Sequence, residues 1–232
     1  MRDLSMQAPL ASTGVSAPGH EYLVGRGVPA ARLDTLIPLF DLRYDDDERR
    51  VVFPVRESGL DLGYAARAID PFVRKRWLSH PVEGGHKSVI YEPDRVLAGG
   101  DTLFIVEGPF DAVMVTAAMQ PGNDSIATAF FGSLPTDEQL AYVTAAIPLY
   151  RMVYVMLDAN VYGRCRRLAE QLALAAGSPT VGSINIGIEN RDPGATRFEE
   201  LEALVEFASA SWQTKIRWMW ERRLVFAGGG KE

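Results

Sequence analysis

The apolar residues of this chain follow two rhythms, and the change between them falls near residue 100. Beyond it, short β-favouring blocks at 102–106, 125–130, 152–157 and 180–186 alternate with segments at 109–119, 136–147, 161–176 and 196–208 whose apolar positions recur at helical spacing. One such face is Phe110, Val113, Met114, Ala117 and Ala118; another is Val161, Cys165, Leu168, Leu172 and Ala176. Short, continuously apolar blocks suit strands buried on both faces, and strand–helix alternation predicts a parallel sheet with right-handed crossovers. Before residue 100 the pattern is mixed. Glu21–Phe40 is predicted as a short helical region, with Pro29 opening one helix and Pro38 closing it. Tyr44–Arg50 (YDDDERR) is a charged hairpin or loop, and Val51–Arg56 (VVFPVR) a strand that turns at Gly59 into its partner, Leu62–Ile69. The expected organisation is a flexible arm at 1–20, a small mixed α/β subdomain at 21–100, a parallel α/β unit at 101–210 and a basic–aromatic helix or tail at 211–232.

Two strand ends carry the candidate chemistry. The block Thr102–Val106 runs into Glu107, after which Gly108 breaks the strand and Pro109 suits a first helical position. The block Met152–Leu157 delivers Asp158-Ala159-Asn160 in the same way, ahead of Gly163 and the next helix. Open α/β sheets build their sites at the carboxyl edges of strands, and neighbouring strands would bring these acids together. Such a cluster repels itself unless a cation neutralises it, and oxygen-only ligands favour magnesium or manganese (Mg2+ or Mn2+) over zinc. The plainer reading of Glu107 and Asp158 is that each caps the helix after it.

Charge sharpens this picture. The net charge of −6 is unevenly spread: residues 1–100 hold 13 basic and 14 acidic side chains, 101–210 hold 6 and 14, and 211–232 hold 5 and 2. The middle is the metal-holding candidate, and the flanks carry the cations a polyanion needs. Among them, Val73–Trp77 (VRKRW) places Arg74, Lys75 and Arg76 near the Gly-Gly-His-Lys run that ends at Lys87, a pattern suited to phosphate contact or to a solvated loop. A single cysteine, Cys165, excludes a disulfide framework or a multi-cysteine zinc ribbon, and its place on an apolar helix face marks it as a core residue. His20, His80 and His86 lack metal-ligand spacing. No segment is apolar enough to cross a bilayer and the first residues lack a signal-peptide core, so the expected location is cytoplasmic, with no membrane partner.

Several of these strings, in order, resemble the catalytic core of DnaG-type bacterial and phage DNA primases, which carries a Toprim domain. Ile105–Val113 (IVEGPFDAV) is similar to the Toprim glutamate motif, and Leu157–Leu172 to its Asp-x-Asp motif, Gly and helix. Gly132–Leu140 (GSLPTDEQL) resembles the intervening segment and Asn190–Gly194 (NRDPG) the later Asp-Pro element. Upstream, RVVFPVRE, GYAARAI, RWLSHP and GGHKSVIY follow the order of the N-terminal subdomain, so the likeness runs from about Glu21 to Glu200. It implies a Toprim-like parallel sheet flanked by helices, preceded by a small mixed α/β subdomain. The implied activity is template-directed synthesis of a short RNA primer by metal-dependent nucleotidyl transfer. By this likeness Glu107 and Asp158 are catalytic; Glu107, Asp158, Asn160 and Asp192 hold Mg2+ or Mn2+; and Arg67, Arg76 and Lys87, with Tyr91 close by, handle template and nucleotide. Trp77 and Tyr91 suit either a stacking platform or the core. The implied partners are single-stranded DNA template and NTPs, with a replicative helicase or other replisome proteins in trans, in a phage, plasmid or mobile element.

The chain also departs from the pattern. Asn160 replaces a carboxylate with a neutral amide oxygen, forfeiting a gross attraction of about 4 kcal/mol at about 4 Å and an effective dielectric of about 20. Gly194 stands where the family usually has another acid. Fewer acids weaken the preference for a second ion. Two rival functions keep the fold: a metal-dependent Toprim nuclease, and a weakened primase-like module that binds nucleic acid or helps assemble a replisome.

Overall fold

A computed structural model describes residues 14–80, 86–120, 122, 124–158, 162–186 and 192–210. Asn160, Asn190 and Arg191 of the Asp-Pro element and the basic–aromatic tail at 211–232 lie outside the described residues, as does most of the expected arm. Two helices come first, α1 (Ala17–Gly25) and α2 (Ala30–Leu39), followed by four strands: β1 (Arg43–Asp45), β2 (Arg50–Glu57), β3 (Leu60–Ala68) and β4 (Trp77–His80). A short helix, α3 (Pro93–Leu97), leads into β5 (Gly100–Val106), α4 (Pro109–Ala117), β6 (Ile126–Ala129), α5 (Asp137–Ala146), β7 (Tyr150–Val155), α6 (Tyr162–Ala176), β8 (Val181–Ser183) and α7 (Phe198–Ser209).

The first helix overlaps the end of the expected arm. α1 starts at Ala17, and Gly19 is buried because a side chain there would run into Val15 and Tyr44. Pro38 does not close α2 but sits inside it, one residue before the end. The YDDDERR segment is a hairpin, with β1 antiparallel to β2. β2 and β3 form the predicted antiparallel pair, and β4 extends this sheet in the order β1-β2-β3-β4.

The second sheet is parallel, in the order β6-β5-β7-β8. Leu103, Phe104, Ile105 and Val106 are fully buried, which explains the unbroken apolar run: residues on both sides of β5 must avoid water. One face of this sheet packs on Val143, Leu168 and Leu172 from α5 and α6, where Cys165 also lies and donates its thiol to the Val155 carbonyl. The other face contributes Phe104 and Val106 to a core that also holds Leu23 and Leu33 of α1 and α2, Phe53 of β2, Val113 of α4 and Leu201 of α7. Helices α1 and α2 and the antiparallel sheet therefore share a core with the parallel sheet. Among the described residues no helix is long and apolar enough to cross a membrane.

Candidate active site

The chain enters the parallel sheet at β5, adds β6 on one side, then crosses to add β7 on the other, so the β5/β7 boundary is the topological switch point. Glu107 follows β5 and Asp158 lies just beyond β7, so the two acids flank that crevice. They touch: the Asp158 backbone N–H donates to Glu107 Oε1 at 3.3 Å. Both line a cleft of about 370 Å³ whose walls also include Asp111, Asp192, Arg26, Arg67, Trp77 and Gly132.

Electrostatics identify the strained groups. Burial, then the neighbouring Glu107 and Asp192 carboxylates, push the Asp158 carboxyl up to about 7. Glu107 is also raised, chiefly by burial, against the lowering effects of the Asp158 amide and Arg164. Asp158 Oδ1 and Asp192 Oδ1 are buried without a hydrogen-bond partner among the described residues. Unpaired buried carboxylate oxygens are costly and call for a proton or a cation. No three Asp, Glu, His or Cys side chains among the described residues form a ready-made metal cage. The donor set instead fits an ion bound by one or two carboxylates with water and substrate oxygens completing its shell, as magnesium prefers.

Asp111 is the residue that sequence reasoning overlooked. Its Oδ2 accepts the Gly108 N–H at 3.0 Å, three residues back across the α4 N-terminus, and its Oδ1 accepts the Gly194 N–H at 3.0 Å. The carboxylate thus pins the Asp192–Gly194 turn to α4 and sets where Asp192 sits. Burial, Asp192 and Asp158 drive Asp111 up to about 8, against the two amides. The signal was present: a carboxylate three residues after a helix cap is the spacing of a reciprocal cap. Gly194 follows from this packing, since a side chain there would approach Asp111 Oδ1 and Phe110 Cδ1 to 2.7 Å. The missing acid leaves room for the Asp111 bridge.

The cleft is also lined by cations. Arg67 on β3 lines the cleft with its guanidinium 5.2 Å from the Trp77 ring centroid. Arg26, at the end of α1, was also missed; it lies 4.4 Å from the Phe110 ring centroid and donates to the Tyr22 hydroxyl at 3.0 Å. Lys87 is exposed, and its ammonium lies 3.9 Å from where a side chain on Gly132 would begin, placing it at the rim. Buried Gln139 holds the Lys87 segment by donating to the carbonyls of His86 and Val89 at 2.9 and 2.8 Å. Arg76 lines an adjoining cavity that shares Arg26 and Arg67, while Arg74 and Lys75 are exposed beside it. Tyr91 corrects an expectation: it is fully buried, its ring 5.7 Å from Phe40 in a stack and 6.1 Å from Phe131. It is a core residue, because its backbone N–H pairs with Ala129 at the sheet end and draws the ring inward.

No protein-family model and no curated protein matches the chain in sequence. Solved structures do match in shape. A DnaG primase catalytic domain bound to single-stranded DNA superposes with a TM-score of 0.59 at 18% identity, over 83% of this chain and 70% of that one. The RNA polymerase domain of Mycobacterium tuberculosis primase DnaG, in complex with a DNA oligomer bearing an overhang, gives 0.56 at 18% identity over 83% and 72%. The primase fragment of the bacteriophage T7 primase-helicase gives 0.55 at 15% identity over 78% and 74%. The mixed α/β architecture with a four-stranded parallel sheet is that of primase catalytic cores. The chain carries the DnaG-type primase core fold.

Proposed function

We propose that the chain is a Toprim-type DNA primase core that joins nucleotides into short RNA primers on single-stranded DNA. The observation that carries this reading is the pair of unpartnered buried oxygens on Asp158 and Asp192 beside Glu107 at the switch point, in a cleft that Arg26 and Arg67 also line. Asp158 and Asp192 would hold a magnesium or manganese ion, with Asn160 as a weaker neutral ligand. The ion, when bound, neutralises charge that develops on the transferred phosphoryl group. Glu107 accepts the proton of the 3′-hydroxyl as its oxygen bonds the α-phosphorus of the incoming NTP and pyrophosphate leaves, a task that its raised proton affinity favours. Arg26 and Arg67 grip the triphosphate, and Lys87 with Arg74, Lys75 and Arg76 guides the template. DNA and a helicase occur with primases of this fold, which supports single-stranded DNA and a replisome partner here.

The test is primer synthesis on single-stranded template with NTPs, in magnesium and in manganese. Wild type should extend primers, and Glu107→Gln and Asp158→Ala should each lose at least ~100-fold. Template cleavage without synthesis would instead identify a nuclease. A second reading, a nucleic-acid-binding module, is favoured by the lack of a three-ligand cage among the described residues. It predicts template binding undiminished by chelator and no synthesis in either metal.

A further inference from the structure

The most exposed large apolar side chain among the described residues is Phe72, 93% accessible, and it stands beside the densest run of cations. Leaving a phenylalanine in water forgoes about 2 kcal/mol of burial, so its surroundings bear on its purpose. The loop that carries it is built. The Phe72 N–H donates to Asp70 Oδ1 at 2.8 Å, and the Arg76 side chain donates to the Pro71 carbonyl at 3.1 Å. From below, the buried Arg50 guanidinium donates to the Lys75 carbonyl at 3.2 Å through both terminal nitrogens and to the Arg76 carbonyl at 3.4 Å. Arg74, Lys75 and Arg76 follow the ring, all exposed, and no carboxylate pairs with any of them among the described residues. Pro71 and Arg76 also line the second cavity, of about 360 Å³, with Tyr22, Asp70, and the Arg26 and Arg67 that face the acidic cleft.

An aromatic ring on a hydrogen-bonded loop beside unpaired cations, next to a cavity that shares Arg26 and Arg67 with the cleft, offers what a single strand of nucleic acid requires: a ring for the base and charges for the backbone. We propose that Phe72 is a base-stacking platform for single-stranded DNA running from the cleft over the second cavity, with Arg74, Lys75 and Arg76 holding the flanking phosphates. The proposal rests on the nucleic-acid reading of the cleft. Charge complementarity favours DNA over an acidic peptide, because a ring without a pocket offers a peptide no anchor, while every base has a face to stack.

The experiment is fluorescence anisotropy of a short labelled single-stranded DNA with the full chain in chelator, so that catalysis plays no part. Phe72→Ala should weaken binding about 10-fold, by the same factor at low and at moderate salt, and Phe72→Trp should keep it. Arg74→Ala with Lys75→Ala should instead flatten the salt dependence, each lost contact reducing the slope by about 0.7. An oligonucleotide abasic throughout its length should bind wild type and Phe72→Ala alike. Binding by Phe72→Ala within twofold of wild type, full binding by Phe72→Leu, or a Phe72→Ala loss that persists on the abasic strand would each overturn the proposal. Absence of primer synthesis by wild type in either metal, with Phe72-dependent binding intact, would sink the primase reading and leave the platform standing.

Discussion

Two aspartates on the same cleft, Asp111 and Asp158, both bind their protons more tightly than usual, yet their surroundings differ. Asp111 sits where a helix start meets a turn, and backbone amides occupy both of its oxygens. Asp158 sits beyond the neighbouring strand, with Oδ1 buried and unpartnered beside Glu107. The difference separates two uses of a buried acid. Asp111 is a structural bridge whose acceptor capacity is already committed to the fold. Asp158 keeps a donor-seeking oxygen free, so it is the one of the pair open to a ligand.

Alanine substitution should split the two most widely. Asp111→Ala leaves the Gly108 and Gly194 N–H groups without their acceptor and releases the turn carrying Asp192. It should cost about 2–4 kcal/mol of stability, read by denaturant unfolding, as well as activity. Asp158→Ala removes a repelled carboxylate whose Oδ1 has no hydrogen-bond partner among the described residues, so stability in chelator should be unchanged or higher. If Asp111→Ala unfolds like wild type, the bridge is not structural and the contrast fails.

Gly194 offers a narrower test. Restoring an acid there would, on charge alone, improve the hold on a cation. Packing predicts the opposite, because the first side-chain carbon would lie 2.7 Å from both Asp111 Oδ1 and the Phe110 ring. Gly194→Ala should cost about 1–3 kcal/mol by overpacking, and Gly194→Asp more, with lower metal-supported activity in both. A gain in activity for Gly194→Asp would show that the turn yields and that charge governs this corner.

How much of this was legible beforehand depended on the range of the contact. The continuous apolar run of β5 declared the strand, and the acid at its end marked a candidate site, because two-sided burial and a strand end leave local marks. Helices α4 to α7 were legible from apolar positions recurring at helical spacing, another local mark. Arg26 was not, since nothing near the end of α1 reports that the chain will fold it over Phe110 from a distant segment. Tyr91 stood open between stacking platform and core, and only the tertiary stack with Phe40 decides for the core. The Asp111–Gly194 bridge joins residues 83 apart, so Gly194 looked like a lost ligand when it is a packing requirement.

The finest distinction between the aspartates is in their response to pH and metal. Both folded-state values, about 7 for Asp158 and about 8 for Asp111, lie above the unfolded value near ~3.9, so each protonated form favours the native state. Their contribution is complete below the unfolded value and is lost as pH rises through the folded ones. In chelator the melting temperature should therefore fall by a few degrees between about pH 6 and pH 9. Magnesium should restore the part due to Asp158, because a cation on its free oxygen replaces the proton. It should leave the part due to Asp111, whose oxygens the amides already occupy. Melting curves of wild type, Asp158→Asn and Asp111→Asn, each with and without magnesium, separate the two. The contrast breaks if magnesium stabilises Asp158→Asn at alkaline pH as much as it stabilises wild type.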